Sequence, residues 1–320
     1  MKKPVYYVIL ALLVGVFLFA AYKVGSYYLE KYRSDKVISE ANRFVTLPGD
    51  SDSNDPTQDP SGDPECPTVQ FDELLKTNGD VIAWIYGANT HINYPVVQGS
   101  DNDYYLRHLL DGTWNDNGSI FMDCANSADF SDQNSLIYGH NMTSGAMFSN
   151  LVKYKQQAYY DQHPYLYMLT PQQSYKLHLF AGVIVDASGY ILDGNGEVAY
   201  SDCSVYQFQL TQEFLQQMVN HSTFRPTTGV PSADSHIVTL STCTYEFKDA
   251  RFVLVARRVR DGEDTKVDVE QAVVNDDAYY PAVYAGAAEY AKKLGKVKSI
   301  TIDGQREITL EVGQTATLTA

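Results

Sequence analysis

Residues 236–258 read HIVTLSTCTYEFKDARFVLVARR. Two apolar runs rich in Val, Ile, Leu and Phe flank a short polar segment, which is the pattern of strand, loop and strand. The first run ends at Cys243 and the second opens at Arg251, eight positions on. A short unit of this kind brings the guanidinium near the sulfur. A cysteine by itself is among the most buried and inert residue types; the arginine is what raises this one. His140, in the stretch NSLIYGHNM, also ends a strand and precedes a polar loop containing Gly145. A cysteine nucleophile needs a partly ionised thiol, which a nearby His and a cation favour. An arginine can also bind the oxyanion formed when sulfur attacks an amide.

Outward from this unit, Val69 to about Arg260 is mostly short strands. The segments DVIAWIYG, INYPVVQ, GSIFMD, NSLIYGH, YLYMLT, YKLHLFAGVIV, HIVTLST and RFVLVARRV are separated by Gly, Asn, Asp and Pro. Short strands in this number point to a closed barrel or a sandwich. Phe71–Lys76 reads as a helical turn closed near Gly79, and two helices are expected as insertions, Asp103–Leu110 and Tyr206–Asn220. In the second, Phe208, Leu215, Met218 and Val219 form one apolar stripe suited to core packing. The expected class is mainly β with helical insertions.

The flanks define the setting. Lys2 and Lys3 precede an uncharged run, Val5–Tyr22 (VYYVILALLVGVFLFAAY), 18 residues long. At ~1.5 Å per residue it spans about 27 Å, close to the hydrocarbon thickness of a bilayer. The expectation is an uncleaved transmembrane signal anchor over 5–22. Residues 1–4 are then cytoplasmic, and everything after Lys23 is outside. A membrane-proximal helix is expected over 23–45. Residues 46–67 carry six acids, no Lys or Arg, and repeated Pro, Gly and Ser; this composition predicts a solvated tether. The globular domain spans 68–260. An acidic linker and a helix at Pro281–Leu294 fill 261–295. In 296–320, Ile300, Ile302, Ile308, Leu310 and Val312 fall on even positions around Asp303-Gly304, the alternation of strands. The chain stops in what reads as a strand, as a fragment of a longer protein would.

Composition excludes other classes. The 320 residues carry 39 acids against 24 bases, a formal charge of −15. Non-specific nucleic-acid binding needs the opposite balance. Four cysteines are too few for a disulfide scaffold. Cys66 falls in the tether, and Cys124 and Cys203 could pair or remain free. His91, His108, His163, His178, His221 and His236 read as structural or surface residues, and no His/Cys cluster has zinc spacing.

The motif Thr239-Leu240-Ser241-Thr242-Cys243 matches the TLxTC signature of sortases, and Arg251 and the upstream His140 match their catalytic set. The stretches YPVVQGSDNDYYL, GSIFMD, DFSDQNSLIYGHNM and AYYDQHPYLYMLT, together with the helix before the catalytic strand, resemble class B sortases. The resemblance covers about Val69 to Arg260 and implies an eight-stranded sortase barrel and a cysteine transpeptidase without cofactor or metal. By the same resemblance, Cys243 attacks the scissile carbonyl, His140 handles the protons, Arg251 stabilises the oxyanion, and Ser241 and Thr242 line the binding groove. The implied partners are secreted proteins bearing a C-terminal sorting signal, cleaved after Thr. An amine of peptidoglycan precursor or of a pilin accepts the acyl group. A chain extending beyond Arg260 departs from the usual class B pattern, and Ile308–Ala320 resembles the opening strands of a bacterial Ig-like domain. Two other readings compete: an inactive membrane-tethered binding protein, and a secreted cysteine peptidase that only hydrolyses. Arg257 and Arg258 compete with Arg251 but stand farther along the strand.

Overall fold

Eight strands form a closed barrel: β1 (Val81–Tyr86), β2 (Asn93–Val97), β3 (Ile120–Met122), β4 (Asn134–Tyr138), β5 (Tyr165–Leu169), β6 (Ser174–Asp186), β7 (Ile237–Cys243) and β8 (Ala250–Arg258). Around the barrel they run β8-β6-β5-β1-β2-β3-β4-β7, and β7 pairs with β8 to close it. Neighbours are antiparallel except β2–β3 and β4–β7, which are parallel. The computed structural model describes residues 3–49, 63, 65–187 and 205–260, and then 263, 267, 269, 273–275, 278, 300–302 and 306–308. The expected helix Pro281–Leu294 and Cys203 lie outside the described residues.

All eight strands coincide with the expected segments, because most of them are buried on both faces and read as continuous apolar runs. In β8, Phe252, Leu254 and Ala256 point into the barrel, whereas Val253 and Val255 join an outer cluster with Leu215 and Met218. Those last two belong to α4 (Gln212–His221), which covers the outside of β6 and β8; the short α3 (Gln157–Gln162) precedes β5. In β1, Ala83 and Ile85 face inward, and Trp84 packs outward with Leu74 of α2 (Phe71–Thr77).

Two helical expectations need correction. Over Asp103–Leu110 only the 3-10 turn Tyr104–Leu106 forms. The Asp101 carboxylate accepts from the backbone N–H groups of Asp103 and Tyr104, a local bond that competes with helix propagation. The helix expected from Tyr206 begins instead at Gln212, because the Thr211 side chain caps it by accepting from the Phe214 N–H. Phe208 therefore lies outside the helical stripe.

The N-terminal flank differs more. A single helix, α1, runs from Lys3 to Ala41 without a break at residue 22. Its later turns lie on the barrel: Ser34 and Ala41 are buried, and Val37 and Ile38 pack against core clusters. The spacing 34, 37/38, 41 is one helical face, in which the small Ser34 and Ala41 are fully covered and Val37 and Ile38 pack beside them. Asn115 Nδ2 donates to the Glu30 carbonyl at 2.8 Å, and Asn93 Nδ2 donates to Asn42 Oδ1 at 3.0 Å. Val45 and Thr46 then pair with Val69 and Thr68 in a short antiparallel ladder. The two ends of the acidic stretch are thus held side by side. It is an excursion from this ladder rather than a spacer between helix and barrel. Cys66, expected in a solvated tether, is buried at 8% exposure. Asp63 accepts from Lys176 Nζ at 3.0 Å and Tyr167 OH at 2.9 Å, and Glu65 accepts from the Tyr165 hydroxyl. Beyond the barrel, Ile300–Ile302 and Arg306–Ile308 pair antiparallel.

Two outcomes follow from this packing. Cutting a protease site engineered between residues 50 and 62 should leave the α1 fragment bound to the barrel in detergent, since Ser34 and Ala41 are buried, Val37, Ile38, Phe44 and Val45 pack against the core clusters, and the Asn115–Glu30 and Asn93–Asn42 bonds and the short ladder tie it down. Co-elution on gel filtration measures this, and prompt separation of the fragments would refute the docked helix. Glu263 pairs with Arg257, which holds its carboxyl near a pKa of about 2 against a usual 4.5. A depressed folded-state value adds stability that is complete above 4.5 and is lost as pH falls toward 2. Glu263→Gln should therefore flatten the pH dependence of Tm across that window, leaving the curve above pH 5 parallel to wild type.

Candidate active site

The antiparallel register of β7 and β8 sets Arg251 directly opposite Cys243. Directly opposed residues point to the same face, so guanidinium and thiol share one side of the sheet. On the other side of β7, the parallel ladder aligns Tyr138 with Ser241. Two residues past each partner stand His140 and Cys243, at the same level and at the same end of the barrel. Arg257, by contrast, pairs with Ile237 at the opposite end of β7 and is held by Glu263. Arg258 lies over the Tyr175 ring at 3.9 Å.

His140, Cys243 and Arg251 open together into a cleft of about 330 Å³, lined also by Asn102, Leu106 and Tyr206. Cys243 is partly exposed and unpaired as a disulfide. His140 Nε2 lies 2.9 Å from the Leu106 carbonyl oxygen. A carbonyl only accepts, so Nε2 carries a proton and Nδ1 is the nitrogen left to exchange one. Close packing fixes the approach to this histidine: a Cβ on Gly139 would stand 2.4 Å from Ile120 Cδ1 and 2.7 Å from Phe148 Cδ2. The His140 carbonyl also accepts from the Phe148 N–H at 2.9 Å.

Asn141 joins the two halves of the site. Its Nδ2 donates to the Cys243 carbonyl at 2.8 Å, and its own carbonyl accepts from Tyr245 OH at 2.9 Å. The β7–β8 loop is held from the other side by Lys155, which donates to Thr244 Oγ1 at 2.6 Å and pairs with Glu246. Burial opposes ionisation of Glu246, but the bonds from Lys155 and Thr244 win and keep its carboxyl below the usual range. The Arg251 Nη1 donates to the Ala250 carbonyl at 3.0 Å, which orients the fork at the start of β8.

Ser241 and Thr242 lie in the wall of the cleft. Both hydroxyls already have partners: Ser241 Oγ with Tyr206 OH at 2.9 Å, and Thr242 Oγ1 donating to the Gly139 carbonyl at 2.7 Å. Sequence reading missed Tyr206, Asn102, Leu106 and Tyr138 as cleft residues. Tyr138 donates to Asp123 Oδ2 at 2.9 Å, and Asn102 Nδ2 donates to the same oxygen at 3.0 Å. Burial and the Asp123 charge push the Tyr138 phenol well above its ordinary pKa, so it stays a donor. Cys124 is exposed and unbridged among the described residues. Among the described residues, no group of three or more His, Cys, Asp or Glu could hold a metal ion.

A Sortase domain matches residues 88–259. Sortase B of Listeria monocytogenes is 29% identical over 247 residues, covering 77% of this chain and 93% of the relative. Sortase B of Staphylococcus aureus is 31% identical over 195 residues, covering 60% and 75%. Among solved structures, sortase B from Bacillus anthracis in complex with AAEK1 superposes with a TM-score of 0.55 at 29% identity, covering 73% of this chain and 99% of that one. The Staphylococcus aureus sortase B–substrate complex superposes with a TM-score of 0.50 at 29% identity, covering 60% and 86%. Neither these matches nor the C-terminal strand pair shows the expected Ig-like start. The closed eight-stranded barrel and the matched domain agree on one conclusion: the chain belongs to the sortase family, in its class B, and is a cysteine transpeptidase.

Proposed function

We propose that Cys243 is the nucleophile, His140 the proton carrier and Arg251 the oxyanion binder, acting on a sorting signal in secreted proteins. The observation that carries this reading is the register that sets Arg251 opposite Cys243, with His140 level across the parallel ladder. In the first half-reaction the Cys243 thiolate attacks the carbonyl after Thr. The carbonyl oxygen takes the electron pair and Arg251 binds it by directed N–H donors. The C–N bond breaks, imidazolium His140 gives a proton to the leaving amine, and a thioester remains on Cys243. In the second, neutral His140 takes a proton from an incoming amine, which attacks the thioester and releases the thiolate. The amine belongs to peptidoglycan precursor or to a pilin.

The reading extends to location. α1 is long and apolar enough to cross a membrane, and Lys2 and Lys3 ahead of the apolar run favour a cytoplasmic N-terminus with the barrel outside. Hydrolysis without transfer, or binding without catalysis, would each leave a different trace. A fluorogenic sorting peptide assayed with and without an added amine should yield a ligated product only when the amine is present.

Cys243→Ala should abolish peptide cleavage with little change in Tm, and Cys124→Ala should retain most activity. Labelling of Cys124 alone by a thiol-directed inhibitor that silences the enzyme would refute the assignment. Arg251→Ala should lose about a hundredfold to a thousandfold in rate. Arg251→Lys should recover little of it, because a point charge does not replace a planar fork; Arg258→Ala should stay within a few-fold of wild type. Asn141→Ala, which frees the nucleophile's carbonyl from the histidine loop, should lower kcat by roughly tenfold to a hundredfold with KM nearly constant. A KM effect with kcat intact would place Asn141 in substrate binding instead.

A further inference from the structure

Outside α1 and the Val273–Val274 pair, three described large apolar or aromatic side chains are exposed: Tyr104 (42%), Trp114 (59%) and Tyr245. Tyr245 is accounted for by its bond to the Asn141 carbonyl. The other two belong to one loop and are joined through His108. The Tyr104 and His108 rings stack 3.9 Å apart at 3°, and His108 meets Trp114 edge-on at 5.3 Å. His108 and Trp114 also pair through their backbones. The result is a stiff, exposed aromatic slab. Arg107 lies 5.8 Å from the Trp114 ring, and its charge is met by Asp116 at 2.5 Å. An apolar patch held this rigidly in solvent marks a contact surface.

The occupant follows from what the loop is tied to. Asn115, next to Trp114, is fully buried and donates to the Glu30 carbonyl of α1. Glu30 lies eight residues past Tyr22, where the apolar run ends, or about 12 Å along the helix. Across the same interval α1 exposes Tyr22, Tyr27 and Tyr28, with Tyr32 half a turn beyond. Helical side chains lean toward the N-terminus, so these rings reach back toward the apolar run. The headgroup layer occupies roughly 5–8 Å outside the hydrocarbon, the zone where Tyr and Trp concentrate. Glu30 stands about 4–7 Å beyond that layer, a gap that an aromatic side chain directed toward the apolar run spans, so the exposed tryptophan beside Asn115 and the exposed tyrosines of α1 lie within reach of it.

We propose that Tyr104, His108 and Trp114 form a membrane-interface contact, seating this loop in the headgroup layer of the bilayer that α1 crosses. The proposal rests on the reading of α1 as a membrane span. Asp103, Asp111 and Asp116 share the loop, and Arg107 is already neutralised, so the contact is aromatic burial and requires no anionic lipid. Leu106 of the same loop lines the cleft and accepts from His140. The contact thus sets the height and tilt of the cleft above the membrane.

The chain holds two tryptophans. Trp84 is fully buried, with Nε1 bonded to Asn93, so lipid-borne quenchers report on Trp114. The full chain would be reconstituted into phosphatidylcholine vesicles with a nitroxide near the headgroup, and floated to establish association. Trp114 emission, isolated in Trp84→Phe, should fall roughly twofold, as expected of a side chain in the aromatic belt. It should be insensitive to salt, and Trp114→Phe should leave only the unquenched Trp84 signal. Flotation without quenching overturns the proposal and leaves the membrane span standing, whereas failure to float overturns both. A blue-shifted, unquenched Trp114 signal that grows with protein concentration would assign the slab to a second copy of the chain, and also overturns the proposal.

Discussion

The ladder between β7 and β8 is the constraint on which the site depends. Because strand side chains alternate with a period of two, a slip of one residue would turn Arg251 away from Cys243 and swing Leu254 out of the barrel to the outer face that Val253 occupies. The register is therefore guarded by the core: Phe252, Leu254 and Ala256 fill the barrel while Val253 and Val255 lie under α4. The parallel β4–β7 ladder adds the third residue, since parallel strands end on the same side. The geometry of the candidate site is a by-product of packing that would be needed in any case. The polar links of Asn141, Lys155 and Thr242 refine it locally.

Much of this was legible in the amino-acid sequence, for a physical reason. Strands buried on both faces are runs of Val, Ile, Leu and Phe bounded by turn residues, and each of the eight announces itself without knowledge of its partners. The Cys243–Arg251 relation was legible because a short hairpin converts sequence spacing into spatial opposition. His140 was legible only as a strand-end histidine; its level relative to Cys243 depends on a pairing 103 positions long, Tyr138 with Ser241. Tyr206 and Asn102 enter the cleft through contacts no local pattern encodes.

The misreadings have equally specific causes. Asp103–Leu110 has helical composition, but the Asp101 side chain captures the first N–H groups. The acidic stretch has the composition of a tether, and its composition is indeed that of solvated chain. What composition omits is that two residues on either side of it pair with each other. The docking face of α1 escaped notice because Ser34 and Ala41 are small and carry little hydrophobic signal, although both are buried.

That clasp separates length from geometry. The entropic cost of closing a loop rises only logarithmically with its length, so doubling the number of residues between Thr46 and Thr68 costs about 0.6 kcal/mol. Neither lengthening nor shortening the loop shifts α1 on the barrel, because helix and barrel meet through their own side chains. Asp63, Glu65 and Cys66 are held against the barrel and their identities are constrained, whereas a change in the number of residues between 50 and 62 leaves the cleft in its place. That interval is also the natural insertion point for a foreign module, such as a reporter domain or an affinity epitope, that must ride on the molecule without altering how the enzyme is mounted.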